Sequence, residues 1–121
     1  MQRIDTDVSV NLVVFEVRVG RGLETVVGQA PTRSAHAIEL AWAACSARSN
    51  IQPSDVRQVY SEWQPSLEDT AFLEATLSGA AVTYSFARPA EDDNEGWDLA
   101  LREAALAVER SVARKWWQFW R

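Results

Sequence analysis

Residues 59–86 read VYSEWQPSLEDTAFLEATLSGAAVTYSF, and this stretch decides the fold. Val59 and Tyr60 close a β-prone run that gives way to Ser61–Gln64 and then Pro65. Pro65 restricts the backbone, Ser66 is a favoured N-cap, and Asp69 follows three residues later. A helix is therefore predicted from Ser66 to about Leu77, with Ser78 and Gly79 as its stop. Beyond it, Val82, Tyr84 and Phe86 alternate with Thr83 and Ser85, which predicts a strand over 81–86. Two strands joined by one helix in so short a span should be parallel neighbours, linked by a right-handed crossover.

Working upstream, the segment 56–61 completes the first of these strands, and 48–54, with Pro53, reads as a loop. Ser34 is placed to cap a helix over 34–46, whose apolar stripe is Ile38, Ala41, Trp42 and Cys45. Leu40, Ala43, Ala44 and Ala47 widen that stripe, so the helix is expected to be well buried. Residues 8–19 are strongly β-prone in both phases: Val8, Val10, Leu12 and Val14 in one, Val13, Phe15, Val17 and Val19 in the other. A strand apolar on both faces suits the middle of a sheet covered on both sides. Gly20-Arg21-Gly22 signals a hairpin, with 23–27 returning antiparallel and 28–32 forming a loop around Pro31.

Downstream, 89–95 is an acidic, proline-containing loop that leads into a long helix from near Trp97. Trp97, Leu101, Ala104, Val108, Val112, Trp116 and Phe119 recur at helical spacing. Leu99, Leu106, Ala113, Trp117 and Trp120 form a second apolar line beside them. The predicted order is β-β-α-β-α-β-α, a three-layer α/β/α arrangement around a mixed sheet of about four strands. No internal repeat or linker divides the chain, and a single domain over 1–121 is expected.

The stretch 60–86 resembles the core of the cytidine-deaminase-like superfamily, in particular the bacterial toxin-type nucleic acid and nucleotide deaminases. In that family Pro-Cys-x-x-Cys opens the helix and its two thiolates hold zinc. Here Pro65 is kept, while Ser66 and Asp69 stand at the cysteine positions. Ser34-Ala35-His36-Ala37-Ile38-Glu39 falls where the family has His-Ala-Glu. The resemblance aligns His36 with the zinc-binding histidine and Ile38 with the proton-shuttling glutamate. It thus implies a vestigial pocket made of His36, Glu39, Ser66 and Asp69.

The chemistry of those four residues decides what remains of the activity. A hydrolytic deaminase needs a metal to acidify a bound water and a carboxylate to move its proton. A neutral serine hydroxyl is a poor zinc ligand, and His36 with Asp69 alone is too small a set. No zinc or other cofactor is expected. Ser66 and Asp69 also read as a capping pair, with the Ser66 hydroxyl accepting from the Asp69 amide. Glu39 is the nearest carboxylate, but one residue of helix turns it about 100° from Ile38. Cys45 lies on the apolar stripe and reads as a small core residue.

Composition narrows the classes further. The 121 residues are 47% hydrophobic and carry a net charge of −5, which argues against a surface built to coat a nucleic-acid backbone. The single cysteine excludes an intramolecular disulfide and a thiolate zinc cage. No apolar run reaches membrane-spanning length and the first residues lack a signal-peptide pattern, so a cytoplasmic protein with no membrane partner is expected.

The last eight residues, RKWWQFWR at 114–121, hold three of the six tryptophans. Trp116, Trp117, Trp120 and Arg121 are the candidate contacts for a protein partner or for self-association, since tryptophan and arginine dominate interface hot spots. Three functions compete: a deaminase-fold binding or accessory module for a nucleotide, a nucleic-acid end or a protein; an active deaminase-type hydrolase with an atypical site; and an immunity-like protein of a toxin or defence system. The missing Cys-x-x-Cys and the aromatic tail favour the first.

Overall fold

The computed structural model describes residues 8–111, which fall into two compact units, 10–88 and 89–111 with Val8 and Ser9. The architecture is mixed α/β: β1 Val10–Val19, β2 Gly22–Pro31, α1 Ala37–Ser49, β3 Val56–Trp63, α2 Leu67–Thr76, β4 Ala81–Phe86 and α3 Asn94–Ser111. The four strands make one sheet in the order β2-β1-β3-β4. β1 is antiparallel to both of its neighbours, and β3 and β4 run parallel, as the strand-helix-strand reading required.

The hairpin is tighter and longer than its sequence suggests. Val19 pairs with Gly22, leaving Gly20 and Arg21 as a two-residue turn. Gly20 alone of the two has a positive φ, 58°, the pattern of a type II′ turn. The expected loop at 28–32 is largely strand, because β2 stays paired with β1 as far as Pro31 opposite Val10. Gly28 and Pro31 signal a break in local sequence, yet both are in the ladder. Gly28 is there for a packing reason: a Cβ on it would lie 2.7 Å from the Ala41 carbonyl oxygen and 2.8 Å from Cys45 Sγ. The missing side chain lets α1 lie directly on β2. Gly28→Ala is expected to cost about 1–3 kcal/mol through overpacking, read as a lower urea midpoint with an unchanged slope.

One core forms on the face of the sheet that carries Val13, Phe15, Val17 and Val59. Ile38, Ala41, Trp42 and Cys45 from α1 join it, with Leu73 and Leu77 from the end of α2. Phe15 and Trp42 meet edge to face with ring centroids 5.3 Å apart. Leu12 and Val14, in the other phase of β1, are buried as well.

The helices correct four expectations. α1 begins at Ala37 rather than Ser34, because the Ser34 hydroxyl accepts from the His36 N–H two residues on and closes a local turn instead. It runs on to Ser49, where Asn50 takes the left-handed conformation (φ 54°, ψ 45°) and donates its N–H to the Ser46 carbonyl. Its widened stripe is not buried: Leu40, Ala43, Ala44 and Ala47 are exposed. α2 ends at Leu77 without a left-handed glycine, since Gly79 has no positive φ.

The final helix starts three residues before Trp97. Asp93 anchors that start, with Oδ1 accepting from the Gly96 N–H at 2.9 Å and its carbonyl from the Trp97 N–H. Of the two apolar lines, Trp97 and Ala104 of the first are buried, while Leu99 and Leu106 of the second are exposed. The tail candidates Trp116, Trp117, Trp120 and Arg121 lie outside the described residues. Among the described residues, no helix is long and apolar enough to cross a membrane.

Candidate functional site

β2 and β3 both run opposite to β1, and β4 follows β3, so β2, β3 and β4 finish at the same end of the sheet. α1 begins after β2 and α2 after β3, which places two helix starts side by side beyond the strand ends. In open α/β sheets this is where ligands bind.

Ser66 caps α2 as its sequence suggests, its hydroxyl accepting from the Asp69 N–H at 3.0 Å. That hydroxyl also donates to the Ala35 carbonyl, just ahead of α1. The Asp69 carboxylate does not fold back on its own helix. Oδ2 accepts from the Ile38 N–H at 2.8 Å and Oδ1 from the Glu39 N–H at 3.2 Å. Ile38 and Glu39 are the second and third residues of α1, whose own N-cap, His36, offers no side-chain cap. Asp69 therefore caps α1 from α2, satisfying two of the amide groups that a helix start leaves unpaired.

Both buried members of the pair are fully engaged. Asp69 is 1% exposed and Ser66 4%. Burial pushes the Asp69 carboxyl above the ordinary aspartate range, and the two amides, then the charges of His36 and Arg88, pull it partly back. The carboxylate also sits at the positive end of α1 as well as α2.

The other two expected residues face outward. His36 Nδ1 and Glu39 Oε1 approach to 3.2 Å with both side chains more than half exposed. Such an exposed pair contributes little to stability. Ile38, aligned by the resemblance with the proton shuttle, is 1% exposed in the core. Helix geometry thus sorts the four residues into an inner pair, Ser66 and Asp69, and an outer pair, His36 and Glu39. Cys45 lies elsewhere in the core, where burial pushes its thiol up and Arg48 acts in the opposite direction. A buried thiol whose pKa is raised, with no base beside it among the described residues, is a poor nucleophile.

Several residues of the site carry no local signal. Arg88, just past β4, donates from Nη1 to the Thr32 carbonyl and from Nη2 to those of Arg33 and Ser34, each at 3.1 Å. Its backbone N–H donates to Gln64 Oε1, and the Gln64 N–H donates to the Phe86 carbonyl. The approach to α1 is thereby tied to the ends of β3 and β4. Deeper in the sheet, Asn11 Nδ2 donates to Ser61 Oγ at 3.0 Å, and Ser61 Oγ donates to the Trp63 carbonyl at 2.7 Å. Glu62 Oε1 accepts from the Leu12 N–H at 3.0 Å. These partners are about fifty residues apart in sequence, and no spacing rule could have paired them.

The donor set does not fit zinc. Ser66 spends its hydroxyl on two backbone groups, both Asp69 oxygens accept from amides, and the only imidazole is turned to Glu39. Among the described residues, no group of three or more His, Cys, Asp or Glu side chains is arranged to hold a metal ion. Compared with known proteins, the chain matches no family model, no curated sequence and no solved structure.

Proposed function

We propose that this chain is a deaminase-like scaffold in which a hydrogen-bonded junction stands in place of the zinc site, and that it works as a binding or accessory module rather than a hydrolase. One observation carries the reading: Ser66 and Asp69, at the positions the resemblance gives to zinc cysteines, are both committed to the backbone at the start of α1. The strand order β2-β1-β3-β4, with two helix starts meeting at one end, supports the scaffold half of the reading. The outward Glu39 and core-bound Ile38 support the other half, because neither reaches the junction as a proton-transfer group would. The partner classes that suit such a module are a nucleotide, a nucleic-acid end or another protein.

The full chain, incubated with cytidine and adenosine nucleotides and with single-stranded oligonucleotides, tests this directly. Ammonia release at the level of the blank is expected, with or without added zinc, and His36→Ala and Glu39→Ala should leave thermal stability nearly unchanged. Release that needs zinc and disappears in His36→Ala would contradict the proposal and favour the hydrolase.

A further inference from the structure

Among the described strands β4 is the last of the sheet, and its own sequence has none of the features that keep such an edge apart from other chains. Its six residues, Ala81-Val82-Thr83-Tyr84-Ser85-Phe86, include no charge, no proline and no glycine. Natural edges are blunted by lysine, proline, bulges or a covering element. β2, the opposite edge, shows such devices: it carries Glu24, ends in Pro31 and has α1 packed against it. In β4, every side chain from Ala81 to Ser85 is exposed, including Val82 at 38% and Tyr84 at 46%.

The backbone of this edge is also aimed outward. The Phe86 carbonyl accepts from the Gln64 N–H, so at Phe86 the backbone groups face β3. Strand alternation then turns the N–H and C=O of Thr83 and Ser85 to the open side. The strand itself is held in place, because the hydroxyls of Tyr60 and Ser85 share a hydrogen bond and the rings of Trp63 and Phe86 pack at 5.2 Å.

We infer that β4 pairs antiparallel with β4 of a second copy of this chain, about a two-fold axis at Tyr84. This inference is independent of the proposed function. In that register Thr83 of each copy meets Ser85 of the other, so all the outward groups at these residues find partners. Tyr84 faces its own copy across the axis and Val82 faces Phe86, giving apolar cross-strand pairs on the face that carries Val59 and Trp63. A contact of this kind is isologous and closes at two chains. Each copy carries −5, which opposes self-association in general, and an uncharged strand is where two copies meet with the least repulsion.

Sedimentation velocity on the full chain, from low to high micromolar, tests the inference together with three variants. The wild type should dimerise, and Tyr84→Lys, which puts like charges across the axis, should weaken the dimer about tenfold or more. Under mild oxidation Tyr84→Cys should give a covalent dimer, because a facing pair of this type has Cα atoms about 4.5 Å apart. Val82→Cys should not, since in this register its two thiols are roughly 13 Å apart along the strands. A wild type that stays monomeric throughout overturns the inference. So does a dimer untouched by Tyr84→Lys, or equal cross-linking of the two cysteine variants.

Discussion

Asp69→Ala is expected to be among the most destabilising single substitutions in this chain, lowering stability by about 3–5 kcal/mol. The side chain is 1% exposed and accepts from the Ile38 and Glu39 amides. Alanine removes both acceptors and leaves two amides at the start of α1 without partners, each costing about 1–3 kcal/mol. It also removes the negative charge that faces the positive ends of two helices. Urea unfolding of the variant beside the wild type measures the loss. A cost below about 1 kcal/mol would mean that the junction is not the link between α1 and α2 that its geometry describes.

The same residue gives a pH dependence of definite sign. Burial raises the folded-state carboxyl above its usual value near 3.8, so the native state holds this proton more tightly than the unfolded chain does. The stability tied to the protonated form is complete below the unfolded value. It is lost as the pH rises through the raised folded value. Asp69→Asn cannot titrate, so the difference in unfolding free energy between wild type and variant should shift in the variant's favour over that window and then level off. A shift in the opposite direction would show that the two amides outweigh burial.

The second large effect is expected at the centre of the sheet. Phe15 is fully buried in β1, contacts Trp42 of α1 edge to face and lies opposite Val59 of β3. Phe15→Ala should cost about 3–5 kcal/mol, combining lost transfer energy with the cavity left behind. Domains of this size are stable by about 5–15 kcal/mol, so the variant would lose a large share of its stability. Phe15→Leu, which keeps most of the volume, should lose less than about half as much. Calorimetric melting of the two variants separates volume from a site-specific strain: equal losses would argue that the ring geometry with Trp42, not the filled space, is what matters.

What could be read from sequence follows the range of the interactions. α2 and β4 were legible because their signals are local: Pro65, Ser66 and Asp69 set the helix start, and period-two alternation sets the strand. The parallel pairing of β3 and β4 followed from the short helical crossover. The end of β2 was not legible, because Gly28 reads as a loop residue until α1 is placed over it. The start of α1 was misplaced because the Ser34 hydroxyl serves a local turn, while the residue that caps the helix is Asp69, thirty-one positions from Ile38. A side chain that caps a helix other than its own leaves no spacing signature.

The candidate site divides in the same way. Ser66 and Asp69 could be found from the strand-helix start they occupy, but only the fold shows which backbone groups they serve. Glu39 and His36 were legible as neighbours one helical turn apart, yet their outward direction depends on Ile38 taking the core position. Arg88 had no signal in sequence. Its role, gathering three carbonyls ahead of α1, exists only once the ends of β4 and β2 are brought together.

At the junction of α1 and α2 the Ser66 hydroxyl donates to the Ala35 carbonyl and Asp69 accepts from the Ile38 and Glu39 amides, and on the proposed reading these bonds replace a zinc site. Elemental analysis of the purified full chain, paired with thermal melts with and without a chelator, tests it most directly. Zinc well below one atom per chain and the same melting temperature in both melts are expected. One zinc per chain, lost in both His36→Ala and Asp69→Ala and accompanied by a lower melting temperature under chelation, would contradict it.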